Sequence, residues 1–501
     1  MSLDLFGDAM SLLCTPTLLA YLLAGVVLGF IIGAIPGFND TNILAIVLPF
    51  SVYFGPLNAI VFMLAVYSGS QSAGPVPAIL MNMPGTPSAA ACCLDGYILT
   101  RRDMAKKALG ASLMGSTIGG IFGAIVCIFL GPIVGKYALT FGPAEMFMVA
   151  FFGLSAVSTL AGKDPIKGLL SAFFGLLVSS VGTEIEMGYV RSPFGFFELY
   201  DGFPLIPVLL GLFGFAELFD LINETSILED NSRAETEKST LFERMREALR
   251  YKLTLISSSI IGVIIGIIPG TGAAIASWIG YGQSKNLSKN PERFGDGSIE
   301  GLVGVSTANN AVTGGALIPT ITLGIPGSGT TLVIMTALMI NNVQPGPTMF
   351  AENMVMVYAI FLSLLIAALL IFFLGLPVFS LFSKTTTVPT NNLVPIIAIL
   401  SLTGSFAFRS MFFDFGLTLV CGIIGWLFKK YHYSTSAFLL SLILGTLAEN
   451  NFIWGIKLEG WSMFSRPICL VLLALSLVTA TVPVALQLKK RNSSRTKTEG
   501  V

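Results

Sequence analysis

IIGAIPG at residues 31–37 returns as IIGIIPG at 264–270, with six of the seven positions identical. A second pair follows each copy. PVPAILMNMPGTPS at 75–88 aligns with LIPTITLGIPGSGT at 317–330, matching Pro77 with Pro319, Pro84 with Pro326, Gly85 with Gly327, Thr86 with Ser328 and Ser88 with Thr330. Self-similarity of this kind marks an internal repeat. The copies span roughly 12–222 and 252–450, and one further helix follows.

The chain around these motifs is written for lipid. Of 501 residues, 54% are hydrophobic and 11% charged, against about 25% charged in a soluble globular chain. Runs such as 107–131, 354–375 and 466–487 reach the ~20 residues an α-helix needs to cross a ~30 Å hydrocarbon core. They are apolar on every face, whereas barrel strands alternate. The sequence therefore predicts an all-α polytopic membrane protein of about a dozen passes. The opening MSLDLFGDAM carries two aspartates and no Lys or Arg, unlike a cleavable signal peptide, so the first helix is expected to stay. A formal charge of zero offers nothing to nucleic acid. Cys14, Cys92, Cys93, Cys127, Cys421 and Cys469 lack C-x-x-C spacing and read as packing residues.

Lys and Arg in short loops mark the cytoplasmic side. The loop after the second motif of the first copy reads TRRDMAKK (100–107), while its counterpart NNVQPGPTMFAEN (341–353) has no basic residue. The earlier loops reverse this: YFGPLN (53–58) is uncharged, and 284–296 holds Lys285, Lys289 and Arg293. Equivalent loops on opposite sides predict two inverted-topology repeats with re-entrant hairpins and discontinuous helices. The first membrane repeat is 1–222, with a hairpin at 16–54, a broken helix at 58–100 and helices near 107–131, 138–160, 166–182 and 204–222. A polar linker, 223–252, is cytoplasmic. The inverted copy, 253–450, opens on a hairpin at 252–284 and a broken crossing at 300–341, then continues with helices near 353–375, 392–406, 412–428 and 434–448. Residues 451–501 supply a periplasmic loop, a final helix and a cytoplasmic tail. The expected location is the bacterial inner membrane.

Pro-Gly at membrane depth removes a backbone donor and frees carbonyls. Unwound backbone is tolerated there only where it is buried or lines a wet cavity. Four such breaks occur, two per copy, which is the pattern of secondary transporters whose half-helices meet near the midplane. The half-helices after Gly85 and Gly327 offer N–H groups and a positive dipole end to a carboxylate. The substrate positions are Asn82, Pro84, Gly85, Thr86 and Ser88, with Pro326, Gly327, Ser328, Gly329, Thr330 and Thr331. Freed carbonyls and amides suit sodium, and the cation-coupling positions are Pro36, Gly37, Asn39, Asp40, Thr41, Asn42, Pro269, Gly270, Thr271, Asn309 and Asn310. Asp40 has two readings: an intramembrane coupling group or a helix cap. Glu217 and Glu449, at matching helix ends, are expected at an aqueous interface. Hairpin tips and breaks are expected to form one transport unit, each tip meeting the break of its own copy. The helices near 107–131, 138–160 and 204–222 would be a scaffold, with Gly110, Gly115, Gly119 and Gly120 facing the moving surface.

The long runs MNMPGTPSAAACCLDGYILTRRDMAKKALGASLMGSTIGG, IIGIIPGTGAAIASWIGYGQSK and VSTANNAVTGGALIPTITLGIPGSGTT resemble the large membrane subunit of the tripartite tricarboxylate transporters, over nearly the whole chain. The resemblance implies a small four-helix membrane subunit, a periplasmic solute-binding protein that delivers a small carboxylate, and uptake driven by a sodium or proton gradient without any other cofactor. One departure stands out: PGFNDTN after the first Pro-Gly places a carboxylate and two amides where the family is typically glycine-rich and neutral. A channel-like or non-coupled anion permease is the alternative. An enzyme is the remoter one, since the chain has a single His432 and neither HExxH nor G-x-S-x-G.

Overall fold

The computed structural model describes residues 3–35, 39–155, 165–184, 188–221, 240–269, 272–382, 393–479 and 481. The first half runs through α1 (Leu3–Leu13), α2 (Pro16–Gly33), α3 (Asp40–Ser51), α4 (Pro56–Ala73), α5 (Pro75–Met81), α6 (Cys93–Arg101), α7 (Ala105–Ala138), α8 (Pro143–Ser155) and α9 (Pro165–Ser179). A two-stranded antiparallel ribbon follows, β1 (Gly182–Thr183) and β2 (Val190–Arg191), the only sheet among the described residues. Next come α10 (Leu205–Leu209), a π-helical turn Leu210–Phe215, and α11 (Ala216–Leu221). The second half contains α12 (Leu241–Ala248), α13 (Lys252–Ile267), α14 (Gly272–Leu287), α15 (Ile299–Leu323), α16 (Gly329–Ile340), α17 (Pro347–Glu352), α18 (Met354–Phe382), α19 (Leu393–Arg409), α20 (Phe412–Lys430), α21 (Thr435–Glu459) and α22 (Pro467–Thr479).

The all-α membrane class holds. Among the described residues five helices are long and apolar enough to cross a membrane: Pro16–Gly33, Ala105–Ala138, Met354–Leu381, Phe412–Lys430 and Thr435–Ser465. The other apolar helices are shorter or interrupted by proline, and α15 stands apart for a different reason. Its residues Gly301–Thr322 are all buried in protein, so it carries Thr and Asn that a lipid-facing helix would not tolerate. The helix expected to end at 131 continues through Pro132 to Ala138, and the one expected to end at 448 continues to Glu459.

Small residues set the close contacts, and they do so at matching positions of the two halves. A Cβ on Gly33 would meet the Ser70 Cα at 2.6 Å, and one on Gly266 would meet the Val312 carbonyl oxygen at 2.8 Å. On Gly85 it would meet the Gly33 carbonyl at 2.5 Å, and on Gly327 the Gly266 carbonyl at 2.9 Å. Asn82 and Gly324 both adopt left-handed backbone, φ 58 and 70, and donate their N–H to the Pro77 and Pro319 carbonyls respectively. Each first arm, α2 or α13, therefore packs backbone to backbone on the helix that carries its neighbouring break.

The chain forms two compact units, residues 1–136 with 220–397 and residues 137–219 with 398–501, each drawing on both halves of the sequence. In the first, α2, α3 and α18 pack on α4, and α13 and α14 on α15. The glycine series of α7, expected to face the moving surface, packs against α15 and α12 within this unit. Gly115 approaches the Val303 carbonyl and the Thr307 hydroxyl, Gly123 approaches Ala311, and Gly110 approaches Arg244 and Met245 of α12. Without a Cβ, α7 can sit directly on α15, which is why it joins the unit that holds the hairpins. In the second unit α8 and α9 pack on α21, and ion pairs lie within it. Glu217 accepts from Lys429 at 3.0 Å, Glu449 from Arg191 at 2.6 Å, Glu145 from Arg466 at 2.7 Å, and Asp414 pairs with Arg409.

Candidate functional site

The site grows from a polar run inside an apolar crossing, YSGSQS at 67–72 of α4. Pro75 has no N–H to give the Gln71 carbonyl four residues earlier, so that acceptor is left without its intrahelical donor. Asn309 of α15 supplies the replacement, its Nδ2 donating to Gln71 O at 3.0 Å. The next residue makes a second tie, Ser72 Oγ donating to Asn310 Oδ1 at 2.8 Å. The Asn309 Oδ1, fully buried, has no hydrogen-bond partner.

Asp40 approaches the same helix from the first hairpin. Asn39 is the N-cap of α3 and accepts from the Thr41 N–H at 3.4 Å, so the capping duty falls to it. Asp40 is buried and turned inward, where Ser70 Oγ donates to its Oδ1 at 2.6 Å. The Thr41 hydroxyl meets the Thr330 hydroxyl at 3.2 Å. This contact departs from the expected pairing. The first arms do end against the break of their own half, but α3 leaves the tip against α16 of the other half, and α14 packs on the 87–92 turn of the first.

The two breaks are not chemically equal. Beyond Gly327, Ser328 and Thr331 form a reciprocal capping box, Ser328 Oγ accepting from Thr331 N at 3.2 Å and Thr331 Oγ1 accepting from Ser328 N at 2.9 Å. That fixes an α-helical N-terminus whose first N–H groups, of Gly329 and Thr330, lie outside the box. Beyond Gly85 the chain enters a 3-10 turn, Pro87–Cys92, because Pro87 has no N–H to offer and its ring fixes the local backbone. Here the hydroxyls carry the polarity: Thr86 Oγ1 meets Ser88 Oγ at 2.9 Å, and Ser88 donates to Gln71 Oε1 at 3.0 Å. Tyr67, buried, places its hydroxyl against Gln71 and Ser328 and within electrostatic reach of Asp40.

The structure thus brings together Asp40, Thr41, Thr86, Ser88, Ser328, Thr330, Asn309 and Asn310. Gly85, Pro326, Gly327, Thr331, Asn42 and Pro269 are buried, while Pro84 and Gly329 are half-buried. Asn82 is exposed and serves as the left-handed turn. Pro36, Gly37, Gly270 and Thr271 lie outside the described residues. Sequence reasoning missed Tyr67, Ser70, Gln71 and Ser72. The signal available was a polar run of consecutive residues in a crossing otherwise built from Ala, Val, Ile and Leu. The arrangement offers hydroxyl and N–H donors to a carboxylate and amide and carboxylate oxygens to a cation, with no Lys or Arg in the cluster. Among the described residues no group of three His, Cys, Asp or Glu is placed to hold a metal ion.

The sequence profile described as Tripartite tricarboxylate transporter TctA family matches residues 19–440, which takes in both hairpins and both breaks. The chain belongs to the TctA family. Membership makes it a multi-pass membrane component of a tripartite transporter that works with other subunits. The chain is also similar to an Agrobacterium vitis protein described as an uncharacterized 52.8 kDa protein in the TAR-I ttuC' 3' region, 32% identical over 471 residues and 93% of each chain. A second A. vitis relative, in the TAR-II ttuC' 3' region, is 34% identical over 220 residues, 43% of this TctA chain and 91% of its own length. No solved structure matches.

Proposed function

We propose that this TctA-family chain is the large membrane subunit of a binding-protein-dependent secondary transporter of the bacterial inner membrane, importing a small, tricarboxylate-like anion by ion symport with alternating access. The observation that carries the reading is the convergence on α4 of a hairpin tip and of residues from both halves, joined by the Thr41–Thr330, Ser72–Asn310 and Gln71–Asn309 contacts. A carboxylate would lie at the N-terminus of α16 and the Thr86–Ser88 hydroxyls. A hard cation that takes neutral oxygens would suit the unpartnered Asn309 Oδ1, and Asp40 of α3 is the ionisable group tied to the same polar run of α4 through Ser70. A periplasmic solute-binding protein and a small four-helix membrane subunit complete the system.

The inverted-repeat reading, with copies at 1–222 and 253–450 joined by a cytoplasmic linker, draws support from the glycine contacts that recur at matching positions and from the opposed loop charges. Alternating access then comes from rigid-body displacement of the unit that carries the tips and breaks, a reading that rests partly on fold-level analogy. The test is reconstitution with the partner subunits in proteoliposomes. Uptake against a concentration gradient that needs an imposed sodium or proton gradient supports the carrier; saturable flux indifferent to both gradients would make it a non-coupled permease.

A further inference from the structure

The segment before the second hairpin carries a surface that the transport site does not use. Helix α12 is packed inward through Leu241, Met245 and Ala248, and Gly110 of α7 lets it lie close, a Cβ there meeting the Arg244 Cβ at 3.0 Å. At Leu249–Tyr251 the chain bends by 80° into the apolar helix α13. On α13 an exposed aliphatic stripe descends through Leu253, Ile256, Ile260 and Ile264, spaced as one helix face. Such a stripe on a membrane helix faces acyl chains. Arg250 and Lys252, both exposed, stand where the stripe begins, and the exposed face of α12 adds Arg246 between Phe242 and Leu249.

An apolar stripe crowned by cations at a right-angled helix bend is complementary to one kind of molecule, an amphiphile with a negative head. We propose that Arg246, Arg250 and Lys252 bind the phosphate headgroup of an anionic phospholipid in the cytoplasmic leaflet, its acyl chains lying along the α13 stripe. The acidic residues of α12 do not cancel this charge: Glu247 is bound by Arg244 at 2.7 Å and Lys107 at 3.4 Å, and Glu243 closes the capping box with Thr240. The side of the membrane rests on the orientation proposed above, but the binding does not. Because α13 is the first arm of the second hairpin, a lipid held at this bend anchors the end of that arm farthest from the site.

The experiment measures binding without transport, so its failure is separate from failure of the carrier reading. The delipidated full-length protein is incubated with equimolar phosphatidylglycerol and phosphatidylcholine, and bound lipid is counted by native mass spectrometry. We expect roughly tenfold or greater preference for phosphatidylglycerol, as three basic groups near a headgroup imply, falling to near parity in R246Q/R250Q/K252Q. Circular dichroism and gel filtration of that variant should match the wild type. Equal retention of both lipids by the wild type overturns the proposal, as does an unchanged preference in the variant. Undiminished phosphatidylglycerol with lost co-purification of the small membrane subunit assigns the face to a protein partner and overturns it as well. A folding defect in the triple variant is answered by single Gln substitutions, each expected to lower the preference about fivefold; singles that fold and leave it unchanged also overturn it.

Discussion

Thr86 and Ser328 hold matching places after the two Pro-Gly breaks, yet their surroundings ask different things of them. Ser328 shares its hydroxyl with the capping box, whereas Thr86 is tied to Ser88. Thr86→Val should weaken carboxylate binding by about 1–3 kcal/mol through loss of a donor, read as a rise in the half-saturating concentration for uptake. Ser328→Val should do this and also uncap α16, visible as a lower unfolding temperature. Unchanged affinity in both, at normal expression, would place the anion elsewhere. The Pro-Gly positions and their flanking hydroxyls were legible in the sequence because proline's missing N–H has a fixed consequence. Tyr67, Ser70 and Gln71 were not, because a polar residue within a helix declares its partner only once the opposing helix is in place. Of the two readings of Asp40, cap or intramembrane group, the structure gives the cap to Asn39, one residue earlier, which sequence reasoning had counted only as a cation-coupling position.

At the scale of elements, the close approach of α2 to α4 and of α13 to α15 depends on hydrogen atoms where side chains would stand. Gly33→Ala and Gly266→Ala should each destabilise by about 1–3 kcal/mol, as overpacking does, and by similar amounts because their neighbours match. Thermal unfolding in detergent tests this; a large effect in one half and none in the other would remove the equivalence. Helix α12 was missed within a linker read only as polar, although Thr240 and Glu243 at capping-box spacing, with Leu241, Met245 and Ala248 on one side, mark an amphipathic helix. Its Glu247 adds a pH signature. Burial tends to raise this carboxyl, but Lys107 and Arg244 outweigh it and hold it below the ordinary glutamate value. A depressed folded value means that the stabilisation is present above the unfolded-state value and lost as pH falls through the folded one. Acidification into that range should loosen α12 in the wild type, measured by limited proteolysis, and have less effect in Glu247→Gln.

The whole molecule poses questions of sidedness and motion. With Asn290→Cys and Gln344→Cys in otherwise cysteine-free backgrounds, an impermeant maleimide added outside should label position 344 and spare 290; the reverse pattern would end the inverted-repeat topology. Among the described residues five helices are plainly long and apolar enough to span, while the shorter apolar helices and the proline-broken crossings do not declare themselves as spans by length alone. Motion is tested at the Thr41–Thr330 contact. In Thr41→Cys/Thr330→Cys, oxidation should leave turnover equal to that of the reduced form if tip and break travel as one body. Turnover abolished on oxidation and restored by reductant would favour local gating by the tip.

The crossing of α3 onto α16, and of α14 onto the 87–92 turn, also bears on inheritance. On the proposed reading neither half closes its own site, so a mutation in one copy is expected to be answered by a change in the other. A gene cut within residues 222–239 should yield two polypeptides that fail to accumulate separately and restore uptake when co-expressed. If either fragment worked alone, the mutual completion drawn from Thr41 and Thr330 would be an accident of packing.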